Sequence, residues 1–219
     1  APMGKIIALA PPSFVVAQAK TLLTATRSSI DDFAAAGKHL YVNYMSGGPS
    51  KLFDVVAGQP DKAIGIPDVS SVGQLVAVGE SLLFDNQSFT QPAAWYRYDP
   101  ANGQVKKTAL AQTSPADFSD VEVIRQTAIS KDGAHVPMTI LRRKGTRLDG
   151  KNPTLLYAYG GYGLSQSPTF AVRRRFWLEH GGVWVVANIR GGAEFGDNWH
   201  EQGRLTKKQN VFEIGRAHV

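Results

Sequence analysis

The sequence predicts an α/β domain entered from an antiparallel β region, and three observations carry that prediction. Two nearly unbroken apolar runs of strand length, Thr154–Tyr159 and Val183–Ile189, stop at glycine pairs. Runs without polar alternation fit strands buried on both faces of a parallel sheet. Between them, Phe170–His180 carries Val172, Phe176 and Trp177 or Leu178 at helical spacing. Strand, helix and strand thus follow one another within about 35 residues, the arrangement of a βαβ crossover. Upstream, from Lys38 to Leu110, the periodicity changes to short strands separated by turns.

The upstream region reads strand by strand. Lys38–Met45 alternates, Ser46-Gly-Gly-Pro49 turns the chain, and Ser50–Val56 runs back. Val72–Val78 and Ser81–Asp85 pair around Gly79-Glu80, and Ala94–Asp99 and Gln104–Leu110 flank the turn Pro100-Ala-Asn-Gly103. Gly37-Lys-His-Leu40-Tyr41 overlays Gly79-Glu-Ser-Leu82-Leu83 at an offset of 42 residues. That offset lies inside the ~40–45-residue period of four-stranded propeller blades. Leu52-Phe-Asp54 matches Arg97-Tyr-Asp99 only with a three-residue insertion. Two blades and part of a third fit Ala1 to about Thr113.

Gln112-Thr-Ser-Pro-Ala-Asp117 has the composition of a domain boundary. Beyond it, Val121–Ala128 and Ala134–Arg142 alternate around Ser130-Lys-Asp-Gly133, and Asp-Gly is a strong hairpin signal. Lys144–Asn152 is a polar loop, and Pro153 opens the first apolar run, a position that tolerates proline. In the helix, Arg173, Arg174, Arg175 and Glu179 are assigned to the wet side, and Gly181-Gly182 supplies the stop.

Ligands on such a sheet bind where its strands give out at their carboxyl ends. Those ends are Tyr159-Gly-Gly-Tyr162 and Arg190-Gly-Gly-Ala-Glu194. Glycine pairs let the backbone approach a substrate and turn sharply. Tyr159 has a phenolic donor suited to a developing oxyanion. The same residues also suit rim tyrosines and a plain chain reversal. Arg190 and Glu194 read as an ion pair supporting the loop, and Trp199 as packing that loop on the sheet.

Composition narrows the function classes. There is no cysteine, which excludes disulfides, a thiol nucleophile and cysteine metal sites. This fits a cytoplasmic enzyme and leaves a periplasmic one open. No run approaches the ~18 apolar residues of a membrane helix. The net charge of +6 raises nucleic acid as a partner. However, Arg142–Lys144, Arg173–Arg175 and Lys207-Lys208 are short and lack interleaved aromatics, so no nucleic-acid or membrane partner is expected. No metal or cofactor motif stands out.

Leu-Tyr-Ala-Tyr159-Gly-Gly-Tyr162, then Ala-Asn-Ile-Arg190-Gly-Gly-Ala-Glu194-Phe-Gly196-x-x-Trp199-His200, then Gly203 through Asn210-Val-Phe212 closely resemble the prolyl oligopeptidase family. The resemblance is strong over roughly residues 120–212. It implies a partial α/β-hydrolase domain with a βαβ crossover, preceded by part of an antiparallel β-propeller. On this basis residues 1–115 are the last blades, 116–212 the start of the catalytic domain, and 213–219 a tail that departs from the family's acidic-aromatic continuation and is expected to be non-native.

Acyl transfer on this fold needs a serine on a Gly-x-Ser-x-Gly elbow, then an acid and a histidine. Gly163-Leu-Ser165 lacks the second glycine, and none of His39, His135, His180 or His200 is paired with a serine and an acid at a suitable spacing. The resemblance places the triad beyond the end of this chain. It further implies that Tyr159 donates to the oxyanion and that Tyr162 lines the proline-specificity pocket, where many relatives have phenylalanine. Substrates would be short peptides cut after proline by a whole protein that is monomeric. An esterase or acylaminoacyl-peptidase of the same architecture, or a noncatalytic binding module, stands as the alternative.

Overall fold

The computed structural model describes residues 2–12, 14–26 and 28–216. The last three residues, including His218, lie outside the described residues, and so does that part of the expected tail. β1 (Lys5–Ala8) and β2 (Lys20–Thr24) form an antiparallel pair. β3 (Ser29–Ala36), β4 (His39–Met45), β5 (Ser50–Val56) and β6 (Lys62–Ile64) follow as a four-stranded antiparallel meander. β7 (Ser70–Val78), β8 (Ser81–Ser88), β9 (Ala94–Asp99) and β10 (Gln104–Ala111) repeat it.

The 42-residue offset marks equivalent turns: Gly37 joins β3 to β4 and Gly79 joins β7 to β8, both left-handed at φ +57° and +59°. The two meanders share one core, in which Tyr41, Leu52 and Ile64 of the first meet Val72, Leu82, Phe84 and Tyr98 of the second. Polar atoms in that seam are matched: His39 Nδ1 lies 2.8 Å from Asp54, and Tyr98 donates its hydroxyl to the other Asp54 oxygen at 3.1 Å.

β11 (Val121–Ile129) and β12 (His135–Arg143) form the hairpin expected from Asp132-Gly133. β13 (Thr154–Tyr157), α1 (Arg174–Glu179) and β14 (Val183–Ala187) make the crossover, with β13 and β14 parallel. The sheet order is β11-β12-β14-β13, and β12 runs antiparallel to β14, so the sheet is mixed. β14 is central and buried, whereas β13 is an edge strand with Leu156 53% exposed, contrary to burial on both faces. α2 (Asp197–Glu201), α3 (Gln209–Phe212) and a final 3-10 turn (Glu213–Arg216) complete the described chain. No helix among the described residues is long and apolar enough to cross a membrane.

The crossover helix departs from its sequence reading in length and in face. It begins at Arg174 rather than Phe170: the Phe170 amide is taken by Gln87 of β8 at 3.0 Å, and the chain at Val172 and Arg173 makes only a turn before the helix. Arg174 and Leu178, four residues apart, face inward, while Val172 and Phe176 face water. The Arg174 guanidinium lies between the rings of Phe89 and Trp184, 5.2 and 5.4 Å from their centroids. Stacking of its planar face and stem makes arginine an acceptable core residue there. Gly181 ends the helix at φ +76°, and His180 donates Nδ1–H to the Phe176 carbonyl.

Candidate active site

The carboxyl ends of β13 and β14 meet through glycine. Gly160, at φ +62°, is so closely covered that a Cβ would lie 2.6 Å from Ile189 and Val211. Gly191, at φ +95°, presses on the Gly160 carbonyl, 2.4 Å from its would-be Cβ. The Gly163 amide then donates to the Gly191 carbonyl at 3.0 Å. His200 donates Nδ1–H to the same carbonyl at 2.8 Å, and Lys208 Nζ holds the Gly160 carbonyl at 2.6 Å. A side chain at Gly160 or Gly191 would force the two turns apart.

This contact leaves both tyrosines turned outward. Tyr159 is 44% exposed and Tyr162 88% exposed. Tyr162 also sits at φ +54°, a region uncommon for a residue with a Cβ and tolerated where the surroundings over-determine it. The loop continues through Gly163, Leu164 and Ser165 along a cavity of about 480 Å³, whose far wall is Ser29, Ile30 and Asp31 of β3 and Met45 of β4. The tyrosine loop thus stands at the seam between the blades and the mixed sheet.

Arg190 and Glu194 are both buried, at 2% and 1% exposure, but they do not pair with each other. Arg190 pairs with Asp132 of the β11–β12 turn and donates to Ser130 Oγ at 2.7 Å and the Asn210 carbonyl at 3.1 Å. Glu194 Oε1 instead accepts from the Gln166 amide at 2.9 Å and from Asn188 Nδ2 at 3.3 Å, while Oε2 has no hydrogen-bond partner among the described residues. Burial pushes the Glu194 carboxyl above the usual carboxylate range. The expected ion pair does not form: Arg190 is held by Asp132 of the β11–β12 turn, whereas Glu194 is held by Gln166 and Asn188. Trp199 is buried in the sheet core and donates Nε1–H to the Ile189 carbonyl at 3.1 Å.

Asn188 and Arg125 were missed by the sequence reading, and the signal for Asn188 was present: a carboxamide inside the apolar run Val-Val-Ala-Asn-Ile189. The basic runs are largely engaged locally, with Arg142 on Glu122 at 2.6 Å, Arg143 on Asp120 at 2.9 Å and Arg175 on Glu179 at 2.7 Å. His39 pairs with Asp54, but at the end of β4 remote from the Ser46–Pro49 hairpin that touches the mixed sheet.

Comparison with known proteins agrees with this architecture. The prolyl oligopeptidase N-terminal beta-propeller domain matches residues 1–110, and the prolyl oligopeptidase family model matches residues 168–213. An uncharacterized peptidase of Sinorhizobium fredii is 39% identical over 159 residues, covering 70% of this chain and 22% of the relative. A prolyl endopeptidase of Elizabethkingia miricola is 31% identical over 184 residues, covering 81% of this chain and 26% of the relative. The chain therefore spans about a quarter of the length of these relatives. A solved prolyl endopeptidase superposes with a TM-score of 0.88 at 32% identity, over 99% of this chain and 32% of that one. A post-proline cleaving enzyme from Rickettsia typhi superposes with a TM-score of 0.74 at 27% identity, over 91% and 30% of the two chains. The chain belongs to the prolyl oligopeptidase family of serine peptidases.

Proposed function

We propose that the whole protein containing this chain hydrolyses short peptides on the carboxyl side of proline through an acyl-enzyme. The observation that carries the proposal is the exposed pair Tyr159 and Tyr162 on glycine-locked strand ends, in a loop whose next residues, Gly163 to Ser165, line a cavity between blades and sheet. In this reading a serine Oγ beyond the present chain attacks the prolyl carbonyl. The Tyr159 hydroxyl donates to the oxyanion as charge develops there, alongside a backbone N–H of the serine elbow. Collapse expels the amine with a proton from a histidine, and water hydrolyses the ester. Tyr162 offers an aromatic face to the proline ring. The blades limit access to short chains.

Residues 1–115 and 116–212 are proposed as the corresponding blade and catalytic portions. The 219 residues alone carry no Gly-x-Ser-x-Gly elbow, so they are expected to remain unlabelled by a fluorophosphonate and to be inactive. Reading the encoding gene onward from Phe212 tests the proposal. Continuation into such an elbow, followed by an acid and a histidine, and cleavage after proline by the full product support it. A full product that reacts with fluorophosphonate but ignores proline peptides overturns the specificity.

A further inference from the structure

A buried carboxamide marks the meeting point of the blade hairpin, the mixed sheet and the tyrosine loop. Asn188, directly after β14, is 1% exposed. Its Nδ2 donates to the Gln166 carbonyl at 2.7 Å and to Glu194 Oε1 at 3.3 Å. Its Oδ1 accepts from Arg125 Nη1 at 3.2 Å, and Arg125 Nη2 reaches out of the sheet to the Gly47 carbonyl at 2.8 Å. The Gly47 amide returns a bond to the Glu194 carbonyl at 3.2 Å. Gly48, at φ +118°, lies against the carboxamide so closely that a Cβ would sit 2.8 Å from Nδ2. One chain of bonds thus runs from the hairpin Ser46–Pro49, through Arg125 and Asn188, to Gln166, four residues beyond Tyr162.

The charges explain why the chain acts as a unit. Among the described ion pairs, Arg125 has no carboxylate and Glu194 has no cation. Asn188 stands between them, accepting from the guanidinium and donating to the carboxyl. Buried polar groups that lose one partner pay the full desolvation penalty, so such a network is either complete or disrupted throughout.

We propose that Asn188 is a positioning residue for the peptidase site: with the blade hairpin seated, Arg125 and Asn188 hold the Tyr159–Gln166 loop so that Tyr159 and Tyr162 face substrate, and departure of the hairpin frees that loop. This rests on the peptidase reading given above.

The test uses the full gene product. Arg125→Met cuts the hairpin arm without touching the tyrosine loop. Asn188→Asp keeps an oxygen for Arg125 and removes the donor to Gln166. Each variant lowers kcat on a proline-containing chromogenic peptide by about tenfold or more with a smaller change in KM, and the double variant is no worse than the poorer single one, because both break the same chain. Arg125→Lys restores part of kcat, since its ammonium can still donate to Gly47. Amide hydrogen exchange over residues 159–167 accelerates about tenfold in Arg125→Met. Unchanged exchange there, or losses that multiply in the double variant, overturns the proposal. If Arg125→Met does not fold, Arg125→Lys is read in the same way, with an intermediate acceleration expected. A wild-type protein that cleaves no peptide overturns the peptidase reading, while the exchange measurement still decides the relay.

Discussion

Arg190 and Asp132 are ion-paired, which ties the residue that opens the glycine turn after β14 to the tip of the β11–β12 hairpin. The guanidinium is 2% exposed, whereas the Asp132 side chain is 47% exposed. Its Arg190 partner holds the Asp132 carboxyl at about 2, below an unfolded value of ~3.9. A depressed carboxylate contributes its stability above the unfolded value and loses it as pH falls toward the folded one. Asp132→Asn should therefore cost about 1 kcal/mol at neutral pH, discounted for the half-exposed carboxylate. The difference from wild type should vanish in urea unfolding between pH 4 and pH 2. A double-mutant cycle should couple Arg190 to Asp132 but not to Glu194, with the latter term under about 0.5 kcal/mol.

Glu194 responds to pH with the opposite sign. Its buried carboxyl is raised above the usual range, so the protonated form stabilises the fold. That contribution is complete below the unfolded value of ~4.3 and is lost as pH rises through the folded one. Glu194→Gln keeps the Oε1 acceptor for Gln166 and Asn188 and cannot ionise. Its melting temperature relative to wild type should rise from pH 4 to pH 8. A flat difference would place the carboxyl in water.

Glycine at 191 is required by space as well as by φ. A Cβ there would lie 2.4 Å from a backbone carbonyl oxygen, whereas one at Gly133, also left-handed at φ +83°, meets none of the described residues within 4 Å. Gly191→Ala should cost on the order of 3 kcal/mol. Gly133→Ala should cost about 1 kcal/mol. Equal costs, measured by denaturant unfolding, would contradict the steric account.

Arg174 is the buried cation most open to replacement. Burial pushes its guanidinium down to about 10, and its Nε has no hydrogen-bond partner among the described residues. Arg174→Met retains the stem between Phe89 and Trp184 while removing a desolvated charge, so stability should change by less than about 1 kcal/mol or increase. A loss of several kcal/mol would mean that the bond to the Thr169 carbonyl dominates.

In the full gene product, Tyr159→Phe should lower kcat by about 10²–10³-fold with little change in KM, as for removal of one oxyanion donor. Tyr162→Phe should leave kcat nearly unchanged, because it keeps the aromatic face. Peptide hydrolysis kinetics on both variants separate the two roles. A Tyr159→Phe effect confined to KM would move that hydroxyl from the oxyanion to ground-state binding.

Local patterns in the sequence determined many of the elements: strand alternation from Lys38 to Leu110, the Asp-Gly hairpin, the two apolar runs with glycine stops, and the 42-residue offset that marks equivalent turns. These features depend on neighbours in the chain, so they can be read without the fold. Partners across the fold could not be. Arg190 found Asp132, 58 residues away, rather than Glu194, four residues away. Arg174 turned inward and Phe176 outward because Phe89 and Trp184, brought there by the blade and by β14, offered a stacking slot that the helix period alone does not reveal. Tertiary structure alone also placed Asn188 between a cation and a carboxyl from different segments. Long-range packing decides which polar groups share a desolvated space, and desolvation makes their pairing obligatory.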